Sequence, residues 1–392
     1  MPSPVPERPG LLIRDPHRFS DTTLIVPPVL VEALSFFDGR FTELDLRQFL
    51  VRLTGSLDVT DILQGLKDSL SRAGFLQDEE FARLREERIR AFVEAPHRAA
   101  AHAGSAYPDD PALLKETFDG YFRGAPGMAG SDDLLGIAAP HVSPEGGWES
   151  YRDAYGALPP DCRDRVFVIL GTSHYGEPEK FGLTRKNFVT PYGEARTEAA
   201  LVDWLAARAP GAVKMDDLCH STEHSIEFQV AFLQHIYGPD IRILPVLCGP
   251  YAHSIYGSGM PEDDENVKRF LGSLAELHAR EDGNLFWILG VDMAHMGRRY
   301  GDPFSAVADR GEMEAVGRRD GGRIDSIVAG DCASFWDQVR ENHDDLKWCG
   351  SSPFYTFLRA VPGARGEVRR YQQWNIDEGS VVSFGAIAFR QA

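Results

Sequence analysis

The residues Val166-Phe167-Val168-Ile169-Leu170 form an unbroken apolar run rich in β-branched side chains. Such a run predicts a strand buried on both faces, the mark of a parallel sheet covered by helices. Gly171 ends it, and Thr172, Ser173 and His174 follow at its carboxyl end. The pattern recurs. A run over 134–139 leads to Pro140-His141, one over 285–291 leads to Asp292 with His295 three residues on, and one over 241–247 leads to Cys248-Gly249. Open α/β sheets bind ligands outside the carboxyl ends of their strands. Three histidines delivered to that position predict a single polar site at one edge of one sheet.

Composition narrows what such a site could serve. The chain has 392 residues, 43% hydrophobic and 10% aromatic, with a net charge of −18. That charge argues against nucleic acid and anionic membrane as partners. The apolar runs are strand-length, so no transmembrane helix is expected, and the opening MPSPVPERPG has no apolar signal region. Five scattered cysteines do not make a disulfide framework. A reducing cytoplasm is the expected compartment.

Residues 1–100 read differently from the rest. Thr42 with Asp45 three positions later signals a helix start. Apolar residues at helical spacing predict a second helix over 58–72, Phe75-Leu76 begins something extended, and a charged helix follows over 78–93. Helix, turn, helix and a short extended segment resemble a winged-helix module; the alternative is a small helical cap. With 13 Lys/Arg against 16 Asp/Glu, a net of −3, the segment lacks the basic face of a DNA reader. Residues 101–392 alternate strands and helices, which predicts an α/β domain with a mainly parallel central sheet flanked by helices. Helices are expected over 111–122, 148–158, 195–208, 225–237 and 266–278, and a closing hairpin pairs 368–374 with 380–389.

The chemistry-bearing candidates are His141, His174, His220, His224, His295, Asp292, Glu223, Glu227 and Cys349. No HExxH or CxxC pattern occurs, so topology carries the signal. Two imidazoles with one anionic ligand and open positions suit Fe(II) and similar metals; His141 and His174 would supply the imidazoles. Glu223-His224-Ser225-Ile226-Glu227 lies at a helix start, where it either caps the helix or orients a ligand or substrate. Asp292 and His295 are close enough to shift each other's pKa and serve as acid or base. Cys349 reads as a small buried hydrophobe, and nothing in the composition separates it from the other cysteines.

In order, these pieces resemble the Memo family, known in bacteria as protein B of the AmmeMemoRadiSam system. His102-Ala103-Gly104-Ser105-Ala106-Tyr107 is similar to the family's HAGSWY, Ala139-Pro140-His141 to the start of APHAGY, and Ile169-Leu170-Gly171-Thr172-Ser173-His174-Tyr175 to ILGPSHH. Thr190-Pro191-Tyr192-Gly193 resembles the TPLG turn and Glu223-His224-Ser225-Ile226-Glu227 matches EHSIE outright. The stretch over 290–297 resembles SSDFCHWG, and Trp348-Cys349-Gly350 the late ICG. The chain departs from the family after His141 and, with Tyr175, after His174, which bears on the pocket wall. The first hundred residues lie outside the resemblance.

The resemblance implies a fold like that of class III extradiol dioxygenases, and a mononuclear metal held by His141, His174 and Cys349, with iron or copper as the ion. His295, Asp292, His224 and Glu223 would line the pocket as the catalytic set. The expected function is metal-dependent redox chemistry on an unknown small molecule or peptide, with the other AmmeMemoRadiSam components as possible partners. The alternative is a non-catalytic scaffold that binds a peptide or partner protein in the strand-end cleft.

Overall fold

The computed structural model describes residues 7–124, 133–281 and 283–392. Most of the Pro-rich opening lies outside them. The chain divides into two compact units, residues 1–95 and 96–392. The break falls before the expected 100 because Arg98 already belongs to the second unit's sheet and to its buried polar network.

In the first unit, strands β1 (Leu11–Arg14) and β2 (Thr23–Val26) pair antiparallel. Three helices follow: α1 (Glu43–Thr54), α2 (Thr60–Arg72) and α3 (Glu79–Glu94). Thr42 caps α1 reciprocally: the Asp45 N–H donates to Thr42 Oγ1 at 3.3 Å and the Thr42 N–H donates to Asp45 Oδ2 at 2.7 Å. Asp78 caps α3 through the Phe81 N–H at 3.0 Å. Leu46, Leu50, Leu63, Leu66 and Leu70, at helical spacing, share one small core. Phe75-Leu76 forms no strand, so the extended segment expected there has no ladder partner. The unit's two strands precede its helices instead.

The second unit begins with β3 (His97–Arg98), α4 (Pro111–Phe122), β4 (Leu134–Ala139), α5 (Pro144–Tyr155) and β5 (Val166–Thr172). Next come β6 (Phe181–Leu183), β7 (Asn187–Thr190), β8 (Gly193–Thr197), α6 (Ala199–Arg208), β9 (Val213–Met215) and α7 (His224–Tyr237). They are followed by β10 (Arg242–Cys248), α8 (Ala252–Tyr256), α9 (Glu265–Glu281), β11 (Leu285–Gly290) and β12 (His295–Gly297). The chain closes with α10 (Glu312–Val328), α11 (Cys332–Arg340), α12 (Ser351–Ala360) and the hairpin β13 (Ala364–Asp377) and β14 (Ser380–Gln391). Residues 195–197, expected in a helix, are strand, because Ala195 pairs with β7 and Arg196 and Thr197 pair with β10.

The sheet runs β12-β14-β4-β11-β5-β10-β8-β7-β3, with β4, β11, β5, β10 and β8 mutually parallel. Both faces are covered. Along β5, Val166, Val168 and Leu170 point into one core and Phe167 and Ile169 into the other. Along β11, Leu285, Trp287 and Leu289 alternate with Phe286 and Ile288 in the same way. Strand β11 comes last of the four central strands in sequence yet inserts between β4 and β5. The loops after β4, β11 and β5 are therefore neighbours, and they carry His141, Asp292 and His174.

Candidate metal centre

Two close approaches bring a helix to these strand ends. A Cβ on Gly171 would meet Ser225 Oγ at 2.5 Å, and one on Gly290 would meet the Ser225 carbonyl oxygen at 2.0 Å. Only glycine at both positions lets the first turn of α7 rest on the sheet. Ser225 Oγ then donates to the Thr172 carbonyl at 2.8 Å, and Gln229 Nε2 donates to the Pro140 carbonyl at 2.9 Å. The start of α7 is thus tied to the ends of β5 and β4, and it carries Glu223 and His224.

One ring nitrogen from each of His141, His174 and His224 lies within 4.8 Å of the other two. The rings of His174 and His224 stack at 5.0 Å with an 11° angle, and both meet His141 nearly edge-on, at 5.0 and 5.1 Å. His141 is buried, and its Nδ1 donates to the Gly290 carbonyl at 2.9 Å, which leaves the Nε2 lone pair facing the centre. His174 places Nδ1 3.0 Å from Glu223 Oε2, and its backbone N–H donates to the same oxygen at 3.0 Å. His224 Nδ1 is 3.1 Å from Glu223 Oε1. Metal-bound histidines engage their second nitrogen with a carboxylate or carbonyl in this way, which fixes the tautomer and the ring plane. The donor set fits a metal ion: this trio of imidazoles, with His141 buried and His174 and His224 open to solvent on one side, could hold one.

Cys349 reaches the same place from the loop before α12. Its Sγ is 3.3 Å from His141 Nε2. Donors on a tetrahedral ion with bonds of about 2.0–2.3 Å stand roughly 3–4 Å apart, so this spacing also fits. Gly350 makes the approach possible, since a Cβ there would meet the Asp292 carbonyl oxygen at 2.6 Å. Thr172 Oγ1 donates to the Cys349 carbonyl at 2.9 Å and holds the loop against β5.

Asp292 anchors the loop after β4. Its Oδ1 accepts from the His141 N–H at 2.9 Å and the Val142 N–H at 3.3 Å, and its Oδ2 lies 3.4 Å from His141 Nε2. His295 directs Nδ1 at the Met293 carbonyl, 2.9 Å away, and meets the Tyr300 ring edge-on at 5.0 Å.

Burial and charge set the protonation states. Burial, with His174 and His224 adding to it, pushes His141 well below the ordinary histidine range. Burial would also lower His174, but the Glu223 carboxylate and the Cys349 thiol outweigh it and hold the imidazole well above. Burial alone would raise Glu223, yet His174 and His224 keep its carboxyl well below the usual value. Burial raises Asp292 against the pull of His295, and lowers His295 to about 4 against the pull of Asp292. Burial raises the Cys349 thiol, partly offset by His174.

A supporting network lies behind α7. The Arg98–Glu227 ion pair is fully buried. Arg98 also donates to the His220 carbonyl at 2.8 Å and the Glu223 carbonyl at 2.7 Å. Glu227 accepts from the His102 N–H at 2.9 Å and the Tyr107 hydroxyl at 2.5 Å, so it holds the 102–107 loop. Arg98 escapes sequence reasoning because it sits in a short edge strand. His220, the other early candidate, stands apart from the trio, with Nε2 on the Gly182 carbonyl at 3.0 Å. A cavity of about 340 Å³ adjoins the centre, lined by His174, Cys349, Tyr251, Trp336, Lys347 and Trp348 among others.

The comparisons with known proteins bear on the family. The family described as Memo-like protein matches residues 98–388. A MEMO1 family protein of Aquifex aeolicus is 28% identical over 295 residues, covering 75% of this chain and 74% of its own. One from Thermococcus kodakarensis is 28% identical over 305 residues, covering 75% of this chain and 99% of its own. One from Thermus thermophilus is 28% identical over 295 residues, covering 75% and 82%. The matched span takes in every residue of the centre, from the Arg98 that braces Glu223 to Cys349, and by it the chain belongs to the Memo family.

Proposed function

We propose that the second unit is a metal-dependent redox enzyme, with one iron or copper ion bound at the strand ends by His141, His174 and Cys349. The observation that carries this reading is the convergence of imidazoles whose outer nitrogens are already committed to Gly290 and Glu223. When bound, such an ion supplies open positions for oxygen or substrate. The chain's own residues do the rest. Glu223 fixes the plane of His174, and Asp292 fixes the loop that carries His141. His295, held neutral at physiological pH by burial, has Nδ1 engaged and Nε2 left as the proton-accepting nitrogen. The adjoining cavity is of the size that takes a small molecule.

The compartment we assign is the reducing cytoplasm, in keeping with five cysteines that are all free. Among the described residues no helix is long and apolar enough to cross a membrane. We assign the first unit to contacts with protein partners, the other AmmeMemoRadiSam components among them, and not to DNA. Elemental analysis of protein purified without added metal, with electron-spin resonance, tests the enzyme reading. It expects close to one iron or copper per wild-type chain and background metal in His141→Ala. Background metal in the wild type would leave the strand-end cleft as the binding surface of a scaffold.

A further inference from the structure

The imidazole of His224 has the same setting as the two histidines that the resemblance names. We propose that His224 is a protein ligand of the ion, so that three imidazoles hold it and Cys349 is a replaceable fourth donor. This deepens the metal-centre reading above and rests on it.

Three observations carry it. The first is convergence: the donor atoms of His141, His174 and His224 lie mutually within 4.8 Å, with both other rings edge-on to His141 at nearly equal distances. The second is the shared brace. Glu223, itself buried, meets Nδ1 of His174 with both oxygens, at 3.0 and 3.1 Å, and its Oε1 also lies 3.1 Å from Nδ1 of His224. One carboxylate thereby presets two imidazoles, and a carboxylate–imidazole contact is the usual outer partner of a metal-bound histidine. The third is rigidity. Glu223 also accepts from the His224 and Ser225 N–H groups at 2.8 and 3.1 Å, and the start of α7 is pressed onto Gly171 and Gly290. The Cα of His224 is therefore fixed relative to the strand ends that carry His141 and His174. Cys349 is held through its backbone, by Thr172 and the close packing of Gly350, and its thiol also meets His174, but no carboxylate braces the sulfur. Its Sγ has a 3.7 Å contact with the Asp292 carbonyl oxygen, besides its approach to His141.

The ligand set decides which ions bind. A face of three neutral imidazoles suits Zn(II), Co(II), Fe(II) or Cu(II), whereas a thiolate within the set draws Cu(I) and other soft ions. Removing the thiol should then leave divalent binding largely in place, and removing His224 should not.

Co(II) is the probe, because a bound thiolate shows itself as a sulfur-to-cobalt band in the near ultraviolet. Bound Co(II) is measured by equilibrium dialysis for the wild type, His224→Gln, Cys349→Ser and His141→Ala, with metal-free thermal unfolding as the check on folding. We expect Cys349→Ser to keep nearly full Co(II). We expect His224→Gln to lose more than the roughly 10–100-fold in affinity that losing an outer-shell partner costs. X-ray absorption of the wild-type Co(II) protein counts the imidazoles without any substitution, so a misfolded variant does not leave the matter open. Three imidazoles support the proposal. Two imidazoles with a full sulfur shell, or unchanged affinity in folded His224→Gln, overturn it while leaving a metal centre standing. Full Co(II) binding by His141→Ala removes the centre itself and this proposal with it.

Discussion

The two units bury different things. Among its described residues the first unit buries one polar side chain, Ser20, and otherwise closes on Leu46, Leu50, Leu63, Leu66 and Leu70. The second buries Arg98, His141, Glu223, Glu227, Asp292 and Asp320. Taking charge out of water costs free energy unless each group is paired or hydrogen-bonded, and here each has hydrogen-bond partners. A core that needs only stability does without such groups. Their concentration around the strand ends marks where the second unit trades packing for chemistry.

The largest expected effect breaks the polar side of this contrast. Glu227→Gln leaves Arg98 buried without a counter-charge, and such a break costs about 3–5 kcal/mol. Urea unfolding of the second unit would measure it. A cost below about 1 kcal/mol would mean that Arg98 finds other compensation. On the apolar side, Leu50→Ala opens a cavity in the first unit and should cost about 2–5 kcal/mol. Metal per folded chain should not change with it. Loss of metal on this substitution would show that the first unit takes part in the centre.

A smaller effect is a pH dependence. Burial, against the pull of Asp217, lowers His220 from 6.5 to about 4. The unfolded chain takes up this proton near pH 6.5, while the folded chain refuses it until about pH 4. The unfolded state binds more protons across that window, so stability falls as the pH drops through it, by about 1–3 kcal/mol from this group. His220→Gln should flatten the pH–stability curve between those values relative to the wild type; parallel curves would contradict the assignment. The smallest effect sharpens the contrast. Thr42→Ala removes the cap of α1 and should cost about 1 kcal/mol, most of it recovered by Thr42→Ser.

Legibility in the sequence followed the same division. The parallel strands were readable because buried runs such as 166–170 carry no polar residue, and the histidines were readable because each follows such a run. Asp292 came with them. His224 was visible as a helix-start residue that caps the helix or lines the pocket, but not as a companion of His141 and His174, since the approach of α7 to Gly171 and Gly290 is a tertiary fact with no local pattern. Cys349 could be chosen by family resemblance and not by composition; the contact that places it, Gly350 against the Asp292 carbonyl, spans 58 residues of chain. In the first unit the cap at Thr42 read correctly from local chemistry, whereas Asp78, taken as the first helical residue, is the cap of α3. The strands β1 and β2 went unread, because four-residue segments beside Pro9, Pro16 and Pro27 leave little periodicity to detect. The winged-helix expectation leaned on Phe75-Leu76, and the Gly74 turn, at φ 73°, leads straight into the Asp78 cap.

The claim on which the rest depends is that a metal ion is held where β4, β5 and α7 meet. Anomalous diffraction from crystals of the wild-type protein, recorded on either side of the absorption edge of the metal found by elemental analysis, locates that ion directly. The account predicts one strong peak within bonding distance of His141 Nε2, His174 and His224. A peak elsewhere in the molecule, or none between these imidazoles in crystals shown to contain the metal, would contradict it.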